Sequence, residues 1–462
     1  MKIAVIGGGV LGMAAAYELL KQGQQVALYE RAPVLGGQVR TFDVGGGRLE
    51  CFYHHLFTSD VDMIDLIHDL GLSDNLTWIP SRMGFFHGGR IHNFVTPMDL
   101  LRFSPISIVD RVRLGLLALY LGRFSNWEKL EGVPAQEWIT RYAGKRISDV
   151  VWGPLLRGKF GDAAREVGMV WFWGKVFLRF SSRKGGRETL GYPKGSFGTI
   201  IEALERRIRD MGGEVHAPAQ INRIVVEDGR AVGLELGGEG GPTVRRFDRV
   251  LATVPSYVFP RLAPELPAAY LEKLQRVRYH TAFCLILVMK RPLSHIYWLN
   301  VADRTIPFVA AIEQTNFMPP EQYGGKHIVY LSNYLPKTHP LYAKNADEMF
   351  QEFLPHLRRI NSQFDPSWVE EMHLFKDEAG QPIITTNYLR QIPEHRTPFR
   401  DLWLANTTQV YPEDRGTNYS VRLARKVVIL MLRDAGLDVP AKMLPGRVPR
   451  SLVGLEREGL TP

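Results

Sequence analysis

The chain has 462 residues, of which 45% are hydrophobic and 23% are charged. This balance is typical of packed globular proteins, and it excludes a wholly disordered chain, a collagen and a small disulfide-stapled domain. The 57 basic and 48 acidic side chains leave a net charge of +9, which favours anionic partners without choosing among phosphorylated ligands, acidic lipids and nucleic acid.

The two cysteines, Cys51 and Cys284, lie far apart in the chain. They predict neither a disulfide framework nor a metal-ligand cluster, so we expect no metal site and a reducing compartment. The first residues lack the pattern of a signal peptide, and no stretch offers the about 18 uninterrupted apolar residues of a spanning helix. These features predict a cytoplasmic protein.

The first thirty residues predict a β-turn-α-β unit. Lys2–Ile6 and Val26–Tyr29 are short apolar runs typical of buried strands, and Val10–Leu20 between them has helical character. A unit of about thirty residues is the size of a parallel crossover. We therefore expect a parallel sheet to begin near the N-terminus.

Helical patterning continues from about residue 61 to residue 180, broken by loops around residues 80–89. A connector rich in glycine and basic residues follows at residues 181–187, and a further helix is predicted over Phe197–Asp210. This middle part of the chain therefore reads as mainly helical.

Strand-like runs recur from about residue 278 to residue 386, interrupted by a helix at Ala346–Ile360. Near the end, a strand at Leu402–Asn406 precedes a long helix, for which Asn418 is the predicted N-cap. The C-terminal third is thus predicted to contain a second sheet and a closing helix.

The alternation of strand and helix patterns predicts an α/β protein whose Rossmann-like nucleotide-binding domain is assembled from separated pieces. A helical insert and a sheet-bearing α+β substrate domain lie between those pieces. The predicted boundaries are 1–60, 191–262 and 398–440 for the nucleotide-binding domain, 61–190 for the helical insert, 263–397 for the substrate domain and 441–462 for a C-terminal tail.

A G-x-G-x-x-G loop directly follows the first predicted strand and opens the first helix. Gly7 permits the tight turn, Gly9 lets the backbone approach a pyrophosphate, and Gly12 lets the helix pack on the strand. Glu30 stands at the end of the second strand, where a carboxylate can accept hydrogen bonds from ribose hydroxyls. In this context a dinucleotide site outweighs an ordinary glycine-rich turn.

A second glycine pair, Gly36 and Gly37, follows the acidic residue after only a few positions and leads to Arg40 and Thr41. The two glycines let the chain pass close to a dinucleotide, and an arginine fork can hold a phosphate through two hydrogen bonds. A plain nicotinamide dehydrogenase has no need of this second loop.

Together these two loops and Glu30 resemble the extended dinucleotide signature of the flavin-containing amine oxidoreductases, a superfamily of amine oxidases, protoporphyrinogen oxidases and phytoene desaturases. The resemblance is strong over the first fifty or so residues and continues weakly at Lys194–Gly198, Gly212–Val215 and Asp248–Pro255. It implies a Rossmann-like domain that binds FAD, with the backbone near Ile221 against the adenine.

The C-terminal part fits the same resemblance with one departure. Asn406 occupies the position of the family's acidic residue, so it is expected near the ribityl and phosphate part of the flavin. Gly416 and Asn418 lie where the last helix begins, and its N-terminal N–H groups are expected to face the pyrimidine edge. Because this loop has no cysteine, FAD is expected to be bound non-covalently.

His54 and His55 follow the Gly45–Gly47 turn, where the superfamily usually approaches its flavin. A histidine there can act as an acid or base near neutral pH, or hydrogen-bond a substrate oxygen. The alternative is one packed and one solvated histidine.

His280 lies roughly where many amine oxidases have a lysine, although a strand-end structural histidine is the stronger interpretation. The aromatic residues that either line a substrate pocket or form ordinary core are Tyr297, Trp298, Tyr330, Tyr334 and Tyr388.

Two segments combine apolar or aromatic residues with nearby cations. Leu114–Leu121 is flanked by arginines, and Val170–Phe180 is rich in tryptophan and phenylalanine. Such segments suit a helix lying in a membrane interface, but a buried helix with cationic ends is the stronger interpretation. The first interpretation predicts a peripheral membrane contact, and no recognisable module supports nucleic-acid binding.

The sequence therefore predicts an FAD-dependent oxidoreductase that moves a hydride from an apolar organic substrate to flavin N5. A second hypothesis comes from Tyr53–Asp60, which is similar to the histidine-bearing segment of UDP-galactopyranose mutases. Those flavoenzymes act on a sugar nucleotide without net redox change. A third is a flavin-bearing scaffold protein without turnover.

Overall fold

The structure is a computed structural model that describes residues 1–184, 187–239 and 241–439. The predicted C-terminal tail, 441–462, lies outside the described residues, as do positions 185 and 186 of the predicted connector.

The strands in chain order are β1 (Lys2–Ile6), β2 (Gln25–Tyr29), β3 (Thr41–Val44), β4 (Gly47–Glu50), β5 (Leu56–Phe57), β6 (Leu76–Pro80), β7 (Met83–His87), β8 (Arg90–Asn93), β9 (Arg183–Lys184), β10 (Arg187–Pro193), β11 (Glu214–His216), β12 (Ile221–Glu227), β13 (Arg230–Leu236), β14 (Thr243–Arg246), β15 (Arg249–Ala252), β16 (Tyr279–Met289), β17 (Trp298–Val301), β18 (Ala310–Glu313), β19 (His327–Leu335), β20 (Val369–Pro382) and β21 (Leu402–Leu404). The α-helices are α1 (Val10–Lys21), α2 (Val61–Asp69), α3 (Pro97–Arg102), α4 (Ile108–Arg123), α5 (Ala135–Ala143), α6 (Lys145–Ile147), α7 (Gly153–Phe160), α8 (Met169–Ser181), α9 (Gly198–Asp210), α10 (Phe259–Leu262), α11 (Ala268–Arg276), α12 (Ala346–Ile360) and α13 (Thr417–Asp434).

A five-stranded parallel sheet has the order β11-β2-β1-β15-β21. Apart from the edge strand β11, its strands are short, mainly apolar runs buried on both faces, as is typical of parallel sheets covered by helices. Helix α1 packs against α9 and α13 on one side. The carboxyl ends of β1, β2, β15 and β21 therefore meet at one edge, where a doubly wound sheet binds its ligand.

A seven-stranded mixed sheet has the order β20-β16-β19-β18-β17-β7-β8. Alternate side chains of β16 face two different cores, with Cys284 and Ile286 on one side and Leu285 and Leu287 on the other. Burial on both faces explains the uninterrupted apolar run of this strand. The mixed α/β class predicted from the sequence is confirmed.

The prediction of loops around residues 80–89 was wrong, because β7 lies within this stretch, between the end of β6 and the turn that leads into β8. β7 pairs in parallel with β17 and so extends the large sheet from within the otherwise helical region. A second correction concerns the last helix: Gly416 is its N-cap and Asn418 lies inside the first turn.

Helices α4 to α8 surround a separate apolar core that contains Phe160, Trp171 and Trp173. This core meets the cores of the two sheets near the N-terminus of α13, and the candidate site lies at that junction. In the part of the chain that the structure describes, no helix is long and apolar enough to cross a membrane.

Candidate active site

The first glycine loop lies at the carboxyl end of β1, and its glycines differ in their surroundings. A Cβ on Gly12 would lie 2.0 Å from the carbonyl oxygen of Gly7, so α1 packs directly on the turn. Gly7 has φ +111°. A Cβ on Gly9, in contrast, would meet only Gly37 Cα at 3.9 Å. The space over Gly9 is thus open, as a loop that admits a ligand close to its backbone requires.

The second glycine loop packs against the first. The Gly36 N–H donates to the carbonyl of Gly8 at 2.8 Å, and Gly9 and Gly36 form an isolated parallel bridge. The Arg40 guanidinium donates to the carbonyl of Gly37 at 3.2 Å, which holds it beside the loop. The two loops make one backbone cradle at the N-terminus of α1, where N–H groups and the helix dipole favour a phosphate.

Thr41 begins β3 beside this cradle, but its hydroxyl already accepts a hydrogen bond from the Arg48 guanidinium at 3.0 Å. The structure thus gives the Thr41 side chain a partner within the protein, whereas Arg40 remains next to the glycine loops.

Glu30 lies at the end of β2 with its carboxylate fixed by the backbone. One oxygen accepts from the Gly8 N–H at 2.7 Å and the other from the Ala32 N–H at 2.8 Å. Each carboxylate oxygen has a second lone pair for a ribose hydroxyl. The Ala219 N–H donates to the Glu30 carbonyl at 2.7 Å, so the segment that leads to Ile221 lies beside the same cradle.

Asn406 is buried after β21, and its side chain is fully used within the protein. Its amide group donates to the Val254 carbonyl at 2.9 Å and to the Ser256 hydroxyl at 3.2 Å. Its oxygen accepts from the N–H and hydroxyl of Thr408. The side chain thus caps a short turn and has no N–H left for a ligand.

The N-terminus of α13 has Gly416 as its N-cap and no side-chain cap, and residues 416–419 line the large cavity described next. The Asn418 carboxamide oxygen accepts from the Met63 N–H at 3.1 Å, while its buried Nδ2 makes no hydrogen bond among the described residues. Unpaired donors at a helix N-terminus suit an electron-rich acceptor group. These residues fit the pyrimidine edge of a flavin.

A cavity of about 610 Å³ extends from this helix N-terminus to α3 and α4. Its wall includes His54 and His55, Ala282 and Cys284 of the large sheet, and many apolar side chains of α4, α7 and α8. This volume lies within the range of enzyme ligand pockets, which is about 300–1,000 Å³.

His54 and His55 both lie in the cavity wall, where each is half-buried. His54 Nδ1 is 2.6 Å from the Phe52 carbonyl, and His55 Nδ1 is 3.0 Å from the Tyr297 hydroxyl. Burial lowers the pKa of His54 to about 4 and that of His55 to about 3. Both are therefore neutral at pH 7, and their part in the reaction stays a prediction.

His280 is not among the cavity residues. It is a buried residue of β16 whose Nε2 is 2.7 Å from the Phe160 carbonyl, and burial lowers its pKa. Of the five aromatic residues predicted as pocket or core, Trp298 and Tyr334 line the cavity. The others are core residues, namely Tyr297, Tyr330 and Tyr388.

Sequence reasoning missed a group of cations in the cavity wall. Lys159 of α7 and Lys175 of α8 both contact the same Asp414 oxygen, at 2.6 and 2.5 Å. Arg415 donates to Gln381, Gln38 and Tyr334, and Arg179 lies one turn beyond Lys175 on α8. The group, which we call the cationic wall, comprises Lys159, Lys175, Arg179 and Arg415.

A sequence signal for this wall exists in α8. Trp171, Lys175 and Arg179 recur at four-residue spacing, so they share one face of a helix. Val170 and Trp173 are buried, so the segment Val170–Phe180 is a buried helix whose cations face an internal cavity. The buried-helix interpretation of this segment is the one that the structure supports.

The other apolar segment has a different environment. In α4, Leu114, Ala118 and Leu119 line the cavity, while Ile108, Val109 and Leu116 are 70%, 70% and 63% exposed. Neighbouring exposed apolar side chains of α3 and α4 are Met98, Leu101, Val112 and Tyr120. Helix α4 therefore borders both the cavity and an apolar surface.

Comparison with known proteins agrees with this architecture. A model of the flavin containing amine oxidoreductase family matches residues 12–411. Zeta-carotene desaturase of Zea mays is 40% identical over 179 residues, which cover 34% of this chain and only 31% of the maize protein.

Two solved structures share the fold at low sequence identity. A candidate protoporphyrinogen oxidase from Exiguobacterium sp. 255-15 has a TM-score of 0.74 and 19% identity, covering 94% of this chain and 99% of its own. A reduced UDP-galactopyranose mutase has a TM-score of 0.73 and 16% identity, and the match covers 96% of this chain and 97% of the mutase chain.

Proposed function

Because the chain belongs to the flavin-containing amine oxidoreductase family, we propose that it is an FAD-dependent oxidoreductase that oxidises an apolar organic substrate. The observation that carries this proposal is the cavity, which runs from the flavin-compatible N-terminus of α13 to the apolar helices α3 and α4. FAD supplies the redox chemistry, by accepting a hydride at N5 from a C–H or C–N centre.

In this proposal FAD is held without a covalent bond. The cradle of Gly9, Gly36 and Gly37 takes the pyrophosphate with the help of Arg40, and Glu30 takes a ribose hydroxyl. Both cysteines are buried free thiols, and the loop before α13 contains neither. The further residues assigned to the cofactor site, through their backbone or by position, are Gly7, Gly12, Thr41, Ile221, Asn406, Gly416 and Asn418.

The proposed FAD domain consists of residues 1–60, 191–262 and 398–440, since each of these three pieces contributes at least one strand to the parallel sheet. Residues 61–190 supply most of the cap over the cavity, with β7 and β8 joined to the sheet of the substrate domain at 263–397. The substrate then lies between three parts of the chain.

The two cavity histidines act in this scheme as neutral hydrogen-bonding groups. Since His54 Nδ1 lies against a carbonyl, that nitrogen carries the proton and Nε2 is an acceptor. A neutral acceptor can orient a polar atom of the substrate without introducing charge beside the flavin. His280 is held away from the cavity and has no part in this proposal.

The apolar surface of α3 and α4 supports a membrane contact for the substrate's entrance. Leu119 of α4 lines the cavity and is also 41% exposed, so the cavity borders this apolar surface directly. An apolar face rimmed by arginines is typical of helices that lie in a membrane interface. We place the enzyme in the cytoplasm, at a membrane surface, where an apolar substrate is concentrated.

A non-redox flavoenzyme acting on a sugar nucleotide is the second candidate. The cationic wall favours it, since phosphate groups pair well with lysine and arginine. The UDP-galactopyranose mutase that shares this fold was solved in a reduced state. Against it, apolar residues make up most of the remaining wall.

The test begins with the visible absorption spectrum of the purified protein and identification of the cofactor released by heating. Bound FAD is expected, and an amine, porphyrinogen or polyene should then bleach it under anaerobic conditions. Activity with UDP-galactopyranose only after chemical reduction would instead establish the second candidate. A protein that neither contains nor takes up FAD would refute both, and FAD that resists every substrate and reductant would indicate a scaffold.

A further inference from the structure

The cationic wall lies in the cavity with too few carboxylates to neutralise it. Two acidic side chains line the cavity, Asp414 and Asp60, against four cations. Both lysines share one oxygen of Asp414, and its other oxygen accepts from Gln381 at 3.1 Å. Burial raises the pKa of Asp60 to about 7, so that this group is only partly ionised at neutral pH.

Two of the cations lack a counter-charge of their own. Arg179 donates to the sulfur of Met83 at 3.3 Å, a weak acceptor, and forms no ion pair among the described residues. Lys175 has Asp414 as its ion-pair partner, and its side chain remains 34% exposed. The ammonium groups of Lys159 and Lys175 also lie 5.3 and 5.8 Å from the centre of the Trp171 ring.

Such a surplus is costly in an apolar cavity. A buried cation is stable only when a counter-charge or several acceptors compensate its lost hydration. The effect is visible at Lys159, where burial lowers the pKa to about 7 despite the contact with Asp414. An anionic ligand group would remove this cost and bind with charge-assisted hydrogen bonds.

We propose that the substrate is an anionic amphiphile whose carboxylate or phosphate binds Lys175 and Arg179, with Lys159 beside them, while its apolar body occupies the rest of the cavity. This inference rests on the proposed function, because it names the substrate class of the same cavity. Arg415 and the N-terminus of α13 remain available to the flavin.

The test uses the full-length, FAD-loaded protein and a matched set of probes. Decanoate, decyl phosphate and decanol share an apolar chain and differ in charge, and UDP is an anion without that chain. Binding is followed by the flavin absorbance and, independently, by tryptophan fluorescence, to which Trp171 in the wall contributes. Decanoate and decyl phosphate are expected to bind at least about tenfold more tightly than decanol.

The variants Lys175→Met and Arg179→Met should remove most of this preference while leaving decanol binding unchanged. Either variant leaves Asp414 paired with Lys159, at 2.6 Å, so that no carboxylate is stranded. Lys175→Arg should restore the preference, and Lys145→Met, which removes an exposed lysine outside the cavity, should not alter it.

Equal binding of decanoate and decanol, or an unchanged preference in both methionine variants, would overturn the inference. Tighter binding of UDP than of decyl phosphate would overturn the amphiphile and indicate a sugar nucleotide. If the protein takes up no FAD, the proposed function fails, but the fluorescence titration still decides whether the anion site exists.

Discussion

Gly9 and Gly12 are three residues apart in one glycine motif, yet a methyl group on each would meet very different surroundings. At Gly9 the nearest atom is 3.9 Å away, whereas at Gly12 it is a carbonyl oxygen at 2.0 Å. We expect Gly9→Ala to leave the stability of the FAD-free protein within about 0.5 kcal/mol and to weaken FAD binding about tenfold or more. Calorimetry of the FAD-free protein and a fluorescence titration with FAD measure the two effects separately.

Gly12→Ala is the matched comparison, and it should destabilise the FAD-free protein because α1 must move away from the turn. If Gly9→Ala bound FAD as tightly as the unchanged protein, the open space over Gly9 would not be the pyrophosphate site.

His55 makes the stability of the protein sensitive to acid. Its folded pKa of about 3 lies below the ordinary value of 6.5, so below pH 6.5 the unfolded chain takes up a proton that the folded chain does not. Stability is therefore lost as the pH falls from 6.5 towards 3, by about 1.4 kcal/mol per pH unit. Relative to His55→Gln, the wild-type protein should lose about 2 kcal/mol of unfolding free energy between pH 6.5 and pH 5.

The comparison with the variant is needed because buried carboxyl groups act in the opposite direction. Burial raises the pKa of Glu50 to about 7 and that of Glu313 to about 8, so their contribution is lost as the pH rises from about 4.5. Urea unfolding at both pH values measures the difference, with the exposed His295→Gln as control. If the difference in unfolding free energy between wild type and His55→Gln does not change with pH, burial does not lower the pKa of His55.

At the scale of elements, local patterns predicted the first strand, the first helix and the long β16 strand well. Each of these is decided by its own residues: an apolar run of strand length, a glycine turn that opens a helix, and a run buried on both faces. The missed β7–β8 hairpin also had a local signal, because Gly88-Gly89 joins two short runs. Both glycines have positive φ, as a tight hairpin turn requires.

The two apolar-basic segments, in contrast, could not be told apart from the sequence. α4 and α8 both combine apolar side chains with arginine or lysine, and only packing decides which one is covered. α8 packs against α4, α5 and Pro412 in the loop before α13, whereas α4 has one side in contact with solvent. Which of the two helices is covered is therefore set by tertiary packing.

The exposed side of α4 leads to a prediction about membranes. We expect the double variant Val109→Glu and Leu116→Glu to lower binding to vesicles of phosphatidylcholine and phosphatidylglycerol by at least about tenfold, because two apolar groups that would enter the bilayer interface are replaced by charges. Sedimentation with sucrose-loaded vesicles measures the bound fraction.

The control is Val244→Glu on β14, which introduces a charge at another exposed valine, 52% accessible and far from α4 in sequence. If the double variant and the Val244→Glu control bind vesicles to the same extent, the apolar surface of α4 is not a membrane contact. The same conclusion follows if the unchanged protein does not bind vesicles at all.

At the scale of the whole molecule, the candidate site is assembled from residues that are distant in sequence. The glycine loops follow the first two strands of the chain, Asp414 and Asn418 stand near its end, and Lys159 and Lys175 come from the middle. The dinucleotide motif was predictable because its parts are contiguous and their spacing has a physical cause. The cationic wall was not, because Lys159 and Asp414 meet only after the chain has folded.

This assembly gives FAD a second expected effect, on the stability of the fold itself. In the proposed site the cofactor contacts the glycine loops after β1 and β2 and the N-terminus of α13, three places that belong to one parallel sheet and its helices. A ligand that binds only the folded chain raises the free energy of unfolding by about 2.7 kcal/mol when its concentration is 100 times Kd. The unfolding temperature of the FAD-free protein should therefore rise steadily with added FAD.

The Gly9→Ala variant separates this linkage from any direct change in the fold. Without FAD, it should unfold at the same temperature as the unchanged protein. Its unfolding temperature should rise only at FAD concentrations that are higher in proportion to its weaker FAD binding. ADP, which lacks the flavin, is expected to give a smaller rise, since it reaches Glu30 and the glycine cradle but not α13. Equal rises with ADP and FAD would mean that α13 takes no part in binding, so that the two ends of the chain would be joined by the sheet alone.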